Sequence, residues 1–222
     1  MFTGLIRDVG IVRSWQKRAD SALFSIETIL NPKDLEIGAS VACNGACLTV
    51  VQQSSAEREL HQLFFVEAGP QTLALTRFGT PEFSGVGELV NLEPALRMGD
   101  ALGGHAVSGH IDTLGSVLVN EATGDGFWRL RIGFASEFSN YVVKKGSIAI
   151  AGVSLTIADC ATESQSSWVE IMLIPHTLMQ TNLKNLRVGS RVEIEFDSQA
   201  KLVANLLKVM IPEHLKTSFK KN

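Results

Sequence analysis

Residues 40–50 read SVACNGACLTV and residues 147–157 read SIAIAGVSLTI. Set over each other at an offset of 107, they share Ser, Ala, Gly, Leu and Thr, and Val faces Ile at two further positions. With each residue type used at about 5–7%, fewer than one identity is expected by chance over such a length. Three more matches follow in the same order. TGLIRDVG (3–10) parallels SGHIDTLG (108–115) at 105, PQTLALT (70–76) parallels PHTLMQT (175–181) at 105, and VGELVNLEPAL (86–96) parallels VGSRVEIEFDS (188–198) at 102. Collinear matches with slowly drifting offsets are the mark of a tandem duplication with small insertions and deletions.

Each copy reads as all-β. SVAC, CLTVV, LFFVEA, LVNLEP, FWRLRIGF, SIAIA, SLTIA, WVEIMLI and RVEIEFD are short runs of β-branched, aromatic and alternating residues, separated by Gly, Asn, Pro and Ser. Short strands at this spacing within about 100 residues predict a small barrel or sandwich. The segments PQTLALTRF and PHTLMQTNL start as Pro-led helical turns after a strand. One amphipathic helix is expected, over DSQAKLVANLLKVM (197–210), with Asp197 or Ser198 as N-cap and Leu202, Leu206 and Met210 spaced by four. Pro212 should stop it, leaving a frayed Lys-rich tail. The expected division is residues 1–103, residues 104–196, and a helix with its tail over 197–222. A helix left over after two complete barrels must bury its apolar face elsewhere, and a neighbouring subunit is the natural place.

Composition narrows the class. The chain has 222 residues, 45% of them hydrophobic and 19% charged, with a net charge of −3. No global basic field advertises nucleic acid or an anionic membrane, no apolar run reaches the ~20 residues of a membrane span, and MFTGLIRDVG is not a signal peptide. Three cysteines argue against a disulfide framework and for a reducing, cytoplasmic location.

The pair Cys43 and Cys47 invites a zinc reading, but a structural zinc needs four ligands and only Cys160 remains. The second copy keeps the phrase with Ile150 and Ser154 at those places, so no metal is expected. Cys43 reads as core. Cys47 and Thr49 on one strand face match Ser154 and Thr156 on the other copy, two polar pairs in otherwise apolar strands. The segment GGHAVSGHID (103–112) sets His105 and His110 on a glycine-rich junction. An extended chain puts them on opposite faces, which disfavours joint metal binding and leaves proton transfer or ligand contact. Phosphate loops of the G-x-x-x-x-G-K and G-x-G-x-x-G types, the G-x-S-x-G elbow and HExxH are all missing.

Taken in order, MFTGLI, SVACNGACLTV, LGGHAVSGHID, SIAIAGVSLTI and IPHTL..TNL resemble riboflavin synthases of the α-chain type, from Met1 to about Val209. The resemblance implies an all-β fold of two six-stranded Greek-key barrels plus a C-terminal α-helix, assembled as a homotrimer around the helices. It implies a dismutation of two molecules of 6,7-dimethyl-8-ribityllumazine by four-carbon transfer, giving riboflavin and 5-amino-6-ribitylaminouracil. No metal or other cofactor is implied; the partners are the small-molecule substrate, two per site, and, in the widest reading, lumazine synthase. Each barrel would then bind one of two identical substrates, the productive site joining the first barrel of one subunit to the second barrel of its neighbour.

Carried onto matching positions, the family's contacts at the first barrel are Gly4, Leu5, Ile6, Cys47, Leu48 and Thr49, the stretch Glu67, Ala68, Gly69, Pro70, Gln71 and Thr72, and His110 from the junction. At the second barrel they are Lys145, Ser154, Leu155 and Thr156, with Met172, Leu173, Ile174, Pro175, His176 and Thr177. The resemblance makes His110 the leading proton-transfer residue, with Cys47 and Ser154 contacting or adding to the pteridine. Ser40, Phe2 and Asp197 stand behind them. One departure is Ala151, where the family often carries an acidic or amide residue, as the first copy does with Asn44. The rival reading is a non-catalytic lumazine or flavin carrier or antenna, whose expected mark is loss of the junction histidines and of Ser-x-Thr in the second copy; both are present. A flavin-reductase barrel would need an Arg-x-Tyr/Phe-Ser/Thr motif and a nucleotide domain, and neither is found.

Overall fold

The computed structural model describes residues 1–55, 61–124 and 126–210. The first copy contains β1 (Asp8–Lys17), β2 (Ala22–Thr28), β3 (Ser40–Cys43), β4 (Ala46–Ser55), β5 (Gln62–Ala68), helix α1 (Pro70–Leu75) and β6 (Leu89–Pro94). The second contains β7 (Thr113–Ala122), β8 (Trp128–Ala135), β9 (Ser147–Ile150), β10 (Val153–Thr156), β11 (Asp159–Thr162), β12 (Ser166–Leu173), helix α2 (Pro175–Gln180) and β13 (Arg191–Phe196), followed by α3 (Ser198–Met210). Asp197 caps α3 by accepting the Gln199 amide at 2.8 Å. Pro212 and the Lys-rich tail lie outside the described residues.

The first copy closes into a barrel in the order β1-β2-β5-β4-β3-β6. The second is a seven-stranded sheet, β10-β9-β13-β7-β8-β12-β11, rather than the six strands expected. The extra strand has a local cause. β4 passes from pairing with β3 to pairing with β5 through a register shift between Val50 and Gln52. Its counterpart breaks at the same place, around Ile157 and Ala158, into β10 and β11. The bonds at the bend are conserved: Gly38 N–H to Val50 O (2.8 Å) and Val50 N–H to Ala39 O (2.9 Å) recur as Lys145 N–H to Ile157 O (2.8 Å) and Ile157 N–H to Gly146 O (2.9 Å). β1 and β7 likewise share a bulge, at Val12/Ser14 and Val117/Val119. Such bulges bend a strand so that a small barrel can turn its corners.

The cores follow the two-residue period of the strands. Phe24, Ile26, Val41, Cys43, Val50, Phe64, Val66 and Leu92 fill the first; Leu130, Ile132, Ile148, Ile150, Ile157, Ile194 and Phe196 fill the second. A small third cluster of Phe2, Ala42, Val107 and Ala149 joins the copies, where the N-terminal segment pairs with the junction.

The phrase that reveals the duplication also makes the seam. In each copy it folds as a two-residue hairpin with both turn residues at positive φ, +48° and +87° at Asn44-Gly45, +46° and +79° at Ala151-Gly152. These are the angles of a type I′ turn. The two turns meet back to back: a Cβ on Gly45 would lie 2.8 Å from the Gly152 amide nitrogen, and one on Gly152 2.6 Å from that of Gly45. Around them runs a buried polar network with a rough twofold. Asn91 Oδ1 accepts the Asn182 N–H at 2.8 Å, and Glu193 Oε1 accepts the equivalent Arg77 N–H at 2.9 Å. Asn44 N–H donates to Asn91 O and Ala151 N–H to Glu193 O, both at 2.9 Å. The symmetry fails at side chains. Asn44 Oδ1 accepts the Asn91 N–H and Asn182 Nδ2, whereas Ala151 has no side-chain acceptor, giving only its carbonyl to Asn91 Nδ2 at 2.9 Å, and Glu193 Oε2 is left without a partner.

Among the described residues no helix is long and apolar enough to cross a membrane. Helix α3 leans on the chain through Lys201, which donates to Asp112 at 2.8 and 3.0 Å, and through Lys208 over the Tyr141 ring. Its Leu202, Val203, Leu206, Leu207, Val209 and Met210 remain exposed.

Candidate functional site

The site in the first copy is a cleft of about 420 Å³ lined by Ala46, Cys47, Gln71, Thr72, Leu75, Thr76, Gly109, His110 and Ile111. Four sequence-predicted residues, Cys47, Gln71, Thr72 and His110, meet there. Cys47 is the second residue of β4, just past the hairpin and opposite Ala42. Gln71 and Thr72 begin α1, which Pro70 opens because its fixed φ suits the first helical position. Thr76 closes that helix by donating its hydroxyl to Thr72 O at 2.7 Å. His110 is exposed and arrives on the junction segment, whose Gly109 O accepts the Cys47 N–H at 2.8 Å. Gly109 has no substitute here, with φ at +85° and a Cβ that would sit 2.6 Å from that of Cys47.

The second copy repeats this arrangement around Ser154. The carbonyl that accepts the Ser154 N–H, at 2.8 Å, is that of Gly4. Gly4 has φ +73°, and its Cβ would meet that of Ser154 at 2.6 Å. Gly4, Leu5 and Ile6 therefore lie at the second copy's site, with Ile6 packed on the second core, and not beside Cys47 as the sequence reading had them. Thr177 and Thr181 repeat the α1 closure in α2, again at 2.7 Å. His176, Pro175, Ile174 and Met172 are exposed around the start of α2.

Other predicted residues are placed differently. Leu48, Ala68 and Leu173 point into the cores, leaving only their backbone for a ligand. Thr49 and Thr156 are exposed on the same strand faces as Cys47 and Ser154. Leu155 packs against the second core. Glu67 is engaged by the Ser21 hydroxyl at 2.6 Å and Arg18 at 3.0 Å, and these bonds hold its carboxyl below its ordinary value. Gly69 caps α1. Lys145 is exposed at φ +70°, in the turn position that Gly38 occupies in the first copy. Ser40 faces Thr49 across the hairpin, and Phe2 is fully buried beneath Cys47. Cys43 is buried in the core, which pushes its thiol far up.

The sequence reading left one contact unassigned. His105 Nδ1 lies 2.6 Å from Ser154 Oγ, so the junction supplies one imidazole to each site. Burial lowers the His105 pKa, with the Asp197 and Glu195 carboxylates opposing. In the neutral ring this favours, the tautomer protonated at Nε2 leaves Nδ1 free to accept the Ser154 hydroxyl proton. A neutral imidazole so placed can take a proton from the hydroxyl or, through it, from a bound molecule.

Two buried carboxylates were also missed. Glu93 Oε1 accepts Thr3 N–H and hydroxyl, both at 2.7 Å, and its Oε2 accepts Gly4 N–H at 2.9 Å. Glu195 Oε1 accepts Ser108 N–H at 2.6 Å and hydroxyl at 2.8 Å, and its Oε2 accepts Gly109 N–H at 2.9 Å. Burial raises the Glu93 carboxyl, with the Thr3 and Gly4 donors opposing. The signal was present in the repeat, since the VGELVNLEPAL and VGSRVEIEFDS alignment sets one glutamate on the other in a buried strand.

The family model described as the lumazine binding domain matches residues 3–95 and 108–197. The chain is 35% identical over 207 residues to the riboflavin synthase of Brucella abortus, covering 93% of this chain and 98% of that one. It is 36% identical over 208 residues to that of Mycobacterium tuberculosis H37Rv (94% and 98%) and 33% identical over 214 to that of Photobacterium phosphoreum (96% and 92%). Among solved structures it is similar to LumP complexed with 6,7-dimethyl-8-(1'-D-ribityl) lumazine, with a TM-score of 0.72 and 26% identity, covering 88% of this chain and 98% of that one. The LumP complex with riboflavin matches at a TM-score of 0.71, also at 26% identity, covering 88% and 99%.

Proposed function

The chain belongs to the lumazine-binding family as an enzyme of the riboflavin synthase type, and from that premise we propose that it converts two molecules of 6,7-dimethyl-8-ribityllumazine into riboflavin and 5-amino-6-ribitylaminouracil. The observation that carries this reading is the matched pair of grips. Cys47 and Ser154 occupy the same place in two copies of one fold, each amide held by a glycine carbonyl at 2.8 Å and each beside a junction histidine. Two equivalent sites suit a reaction whose two substrates are identical.

The reaction needs a proton removed from the C7 methyl of the acceptor and a nucleophile added at C7 of the donor. A four-carbon unit then passes between the rings, and the two products together hold all atoms of the two substrates, so no outside oxidant is consumed. Holding the rings face to face supplies much of the acceleration. Ser154 with neutral His105 fits the nucleophilic or proton-moving role at the second site, while His110 serves the first, with Cys47 as a contact. Ser40, Phe2 and Asp197 act from behind: Phe2 supports Cys47 and Gly109 from below, and Asp197 biases the His105 ring.

The exposed apolar side of α3 supports a homotrimer in which the Cys47 site of one protomer faces the Ser154 site of the next. Leu206→Glu should dissociate it by sedimentation and abolish turnover with the barrels intact by circular dichroism. A cytoplasmic location and docking to lumazine synthase belong to the same reading, as does the division at residues 103 and 196. Incubation of the pure protein with the lumazine should generate the riboflavin absorption band. Tight binding with no new band would instead favour the carrier reading, which the LumP resemblance keeps in view.

A further inference from the structure

We infer that Glu93 and Glu195 are crossed positioning residues: each carboxylate, seated in one barrel, holds the strap that builds the other barrel's site. Glu93 belongs to β6 of the first barrel, yet the segment it grips, Thr3-Gly4, gives its Gly4 carbonyl to Ser154 of the second. Glu195 belongs to β13 of the second barrel, yet it grips Ser108-Gly109, whose carbonyl goes to Cys47 of the first. Both carboxylates are nearly inaccessible, at 4% and 1% exposure, and each accepts three hydrogen bonds from its strap. A buried set of three hydrogen bonds fixes a backbone that would otherwise be a loop.

The hydroxyls extend the grip one residue further. Thr3 Oγ1 accepts the Leu5 N–H and Ser108 Oγ accepts the His110 N–H, each at 3.2 Å. His110 therefore owes its place in the Cys47 cleft to Glu195, two bonds away in the opposite barrel. Leu5, which the repeat sets on His110, is placed at the Ser154 site by Glu93 in the same way. The two sites are thereby tied to each other's frameworks, and neither barrel carries a complete site by itself. This inference rests on the proposed substrate sites at Cys47 and Ser154 for its meaning, but its test requires no turnover.

The test is amide hydrogen exchange on the full-length protein, read separately at Cys47 and Ser154, whose N–H groups the straps protect. Glu195→Gln presents an amide NH₂ where an oxygen accepted. It should speed exchange at Cys47 by about tenfold or more while Ser154 stays within twofold of the parent. Glu93→Gln should do the reverse. Should either buried variant fail to fold, Ser108→Ala and Thr3→Val remove only the hydroxyl links and should give the same crossed pattern at smaller amplitude. A second readout is iodoacetamide labelling of Cys47, faster in the Glu195 variant and unchanged in the Glu93 variant. A same-barrel pattern, equal acceleration at both amides, or no acceleration in any variant would overturn the proposal. A crossed pattern in a protein that makes no riboflavin would leave it standing and defeat the enzymatic reading instead.

Discussion

Replacing Ala151 by Asn should stabilise the protein even though the site is only 2% exposed. Ala151 and Asn44 hold the same turn position at φ +46° and +48°. The left-handed region costs a residue with a Cβ about 1–2 kcal/mol, and Asn enters it more readily because its short amide bonds locally. Asn44 shows what the amide does there, accepting the Asn91 N–H at 2.9 Å and Asn182 Nδ2 at 3.0 Å. At the equivalent of Asn91, Ala151 gives the Glu193 N–H no side-chain acceptor, and Glu193 Oε2 has no partner. An Asn at 151 supplies an acceptor for that amide and a donor for that oxygen. One recovered buried hydrogen bond is worth about 1 kcal/mol. Relief of the backbone adds about 0.5 kcal/mol. Pressing three heavy atoms into a packed seam takes some of this back. A net gain of about 1 kcal/mol corresponds to a rise in Tm of about 2–4 °C for a chain of this size. Scanning calorimetry reads it directly, with Ala151→Gly as the control that relaxes the turn without adding an amide. A Tm for Ala151→Asn at or below that of the parent would refute the mirrored-network reasoning.

Three further outcomes are expected. Burial holds the Glu193 carboxyl above its ordinary value of 4.5, so the stability it contributes is full below about pH 4.5 and is lost as pH rises through the folded value. The Tm of Glu193→Gln should therefore climb relative to the parent between about pH 4.5 and pH 8, and a constant difference would contradict the assignment. Turnover should fall on acidification through a group below 6.5, since burial lowers His105 and the neutral ring is the working form. His105→Gln should remove that acid limb along with about 10²-fold or more of the rate, and an unchanged profile would remove His105 from the mechanism. Cys47→Ser should keep turnover within about tenfold, because a serine hydroxyl already occupies this place in the second copy; a loss beyond about 10³-fold would mark an essential thiol nucleophile.

The duplication carried most of the fold. Once SVACNGACLTV is set on SIAIAGVSLTI, every strand of one copy constrains its partner, and apolar alternation in LFFVEA or WVEIMLI fixes which faces turn inward. β1 and β7 escaped the reading because their outer halves, such as Arg13 to Lys17, are solvated and break the alternation, and β2 escaped because its buried Ser25 and Thr28 put polar residues among the inward positions. The break that divides β10 from β11 escaped because Ile157 and Val50 are interchangeable in sequence, and only the register tells a bend from an interruption. The cleft residues Cys47, Gln71, Thr72 and His110 were legible as a set. The side on which Gly4, Leu5 and Ile6 fall was not, because a strap leaving one barrel for the other leaves no local pattern. Glu93 and Glu195 stood in plain view as a repeated residue, but a glutamate in a strand is ordinarily assigned to the solvent face. Nothing in the sequence indicates that both point inward at backbone amides.

Two matched sites acting on two copies of one substrate impose a fixed stoichiometry on turnover. Its most direct measurement is a chromatographic count of all three species during turnover of pure 6,7-dimethyl-8-ribityllumazine. Two lumazines lost for each riboflavin and each 5-amino-6-ribitylaminouracil gained, at every time point and with no added oxidant, is the predicted result. Riboflavin appearing in any other ratio, or lumazine held without loss, would contradict it.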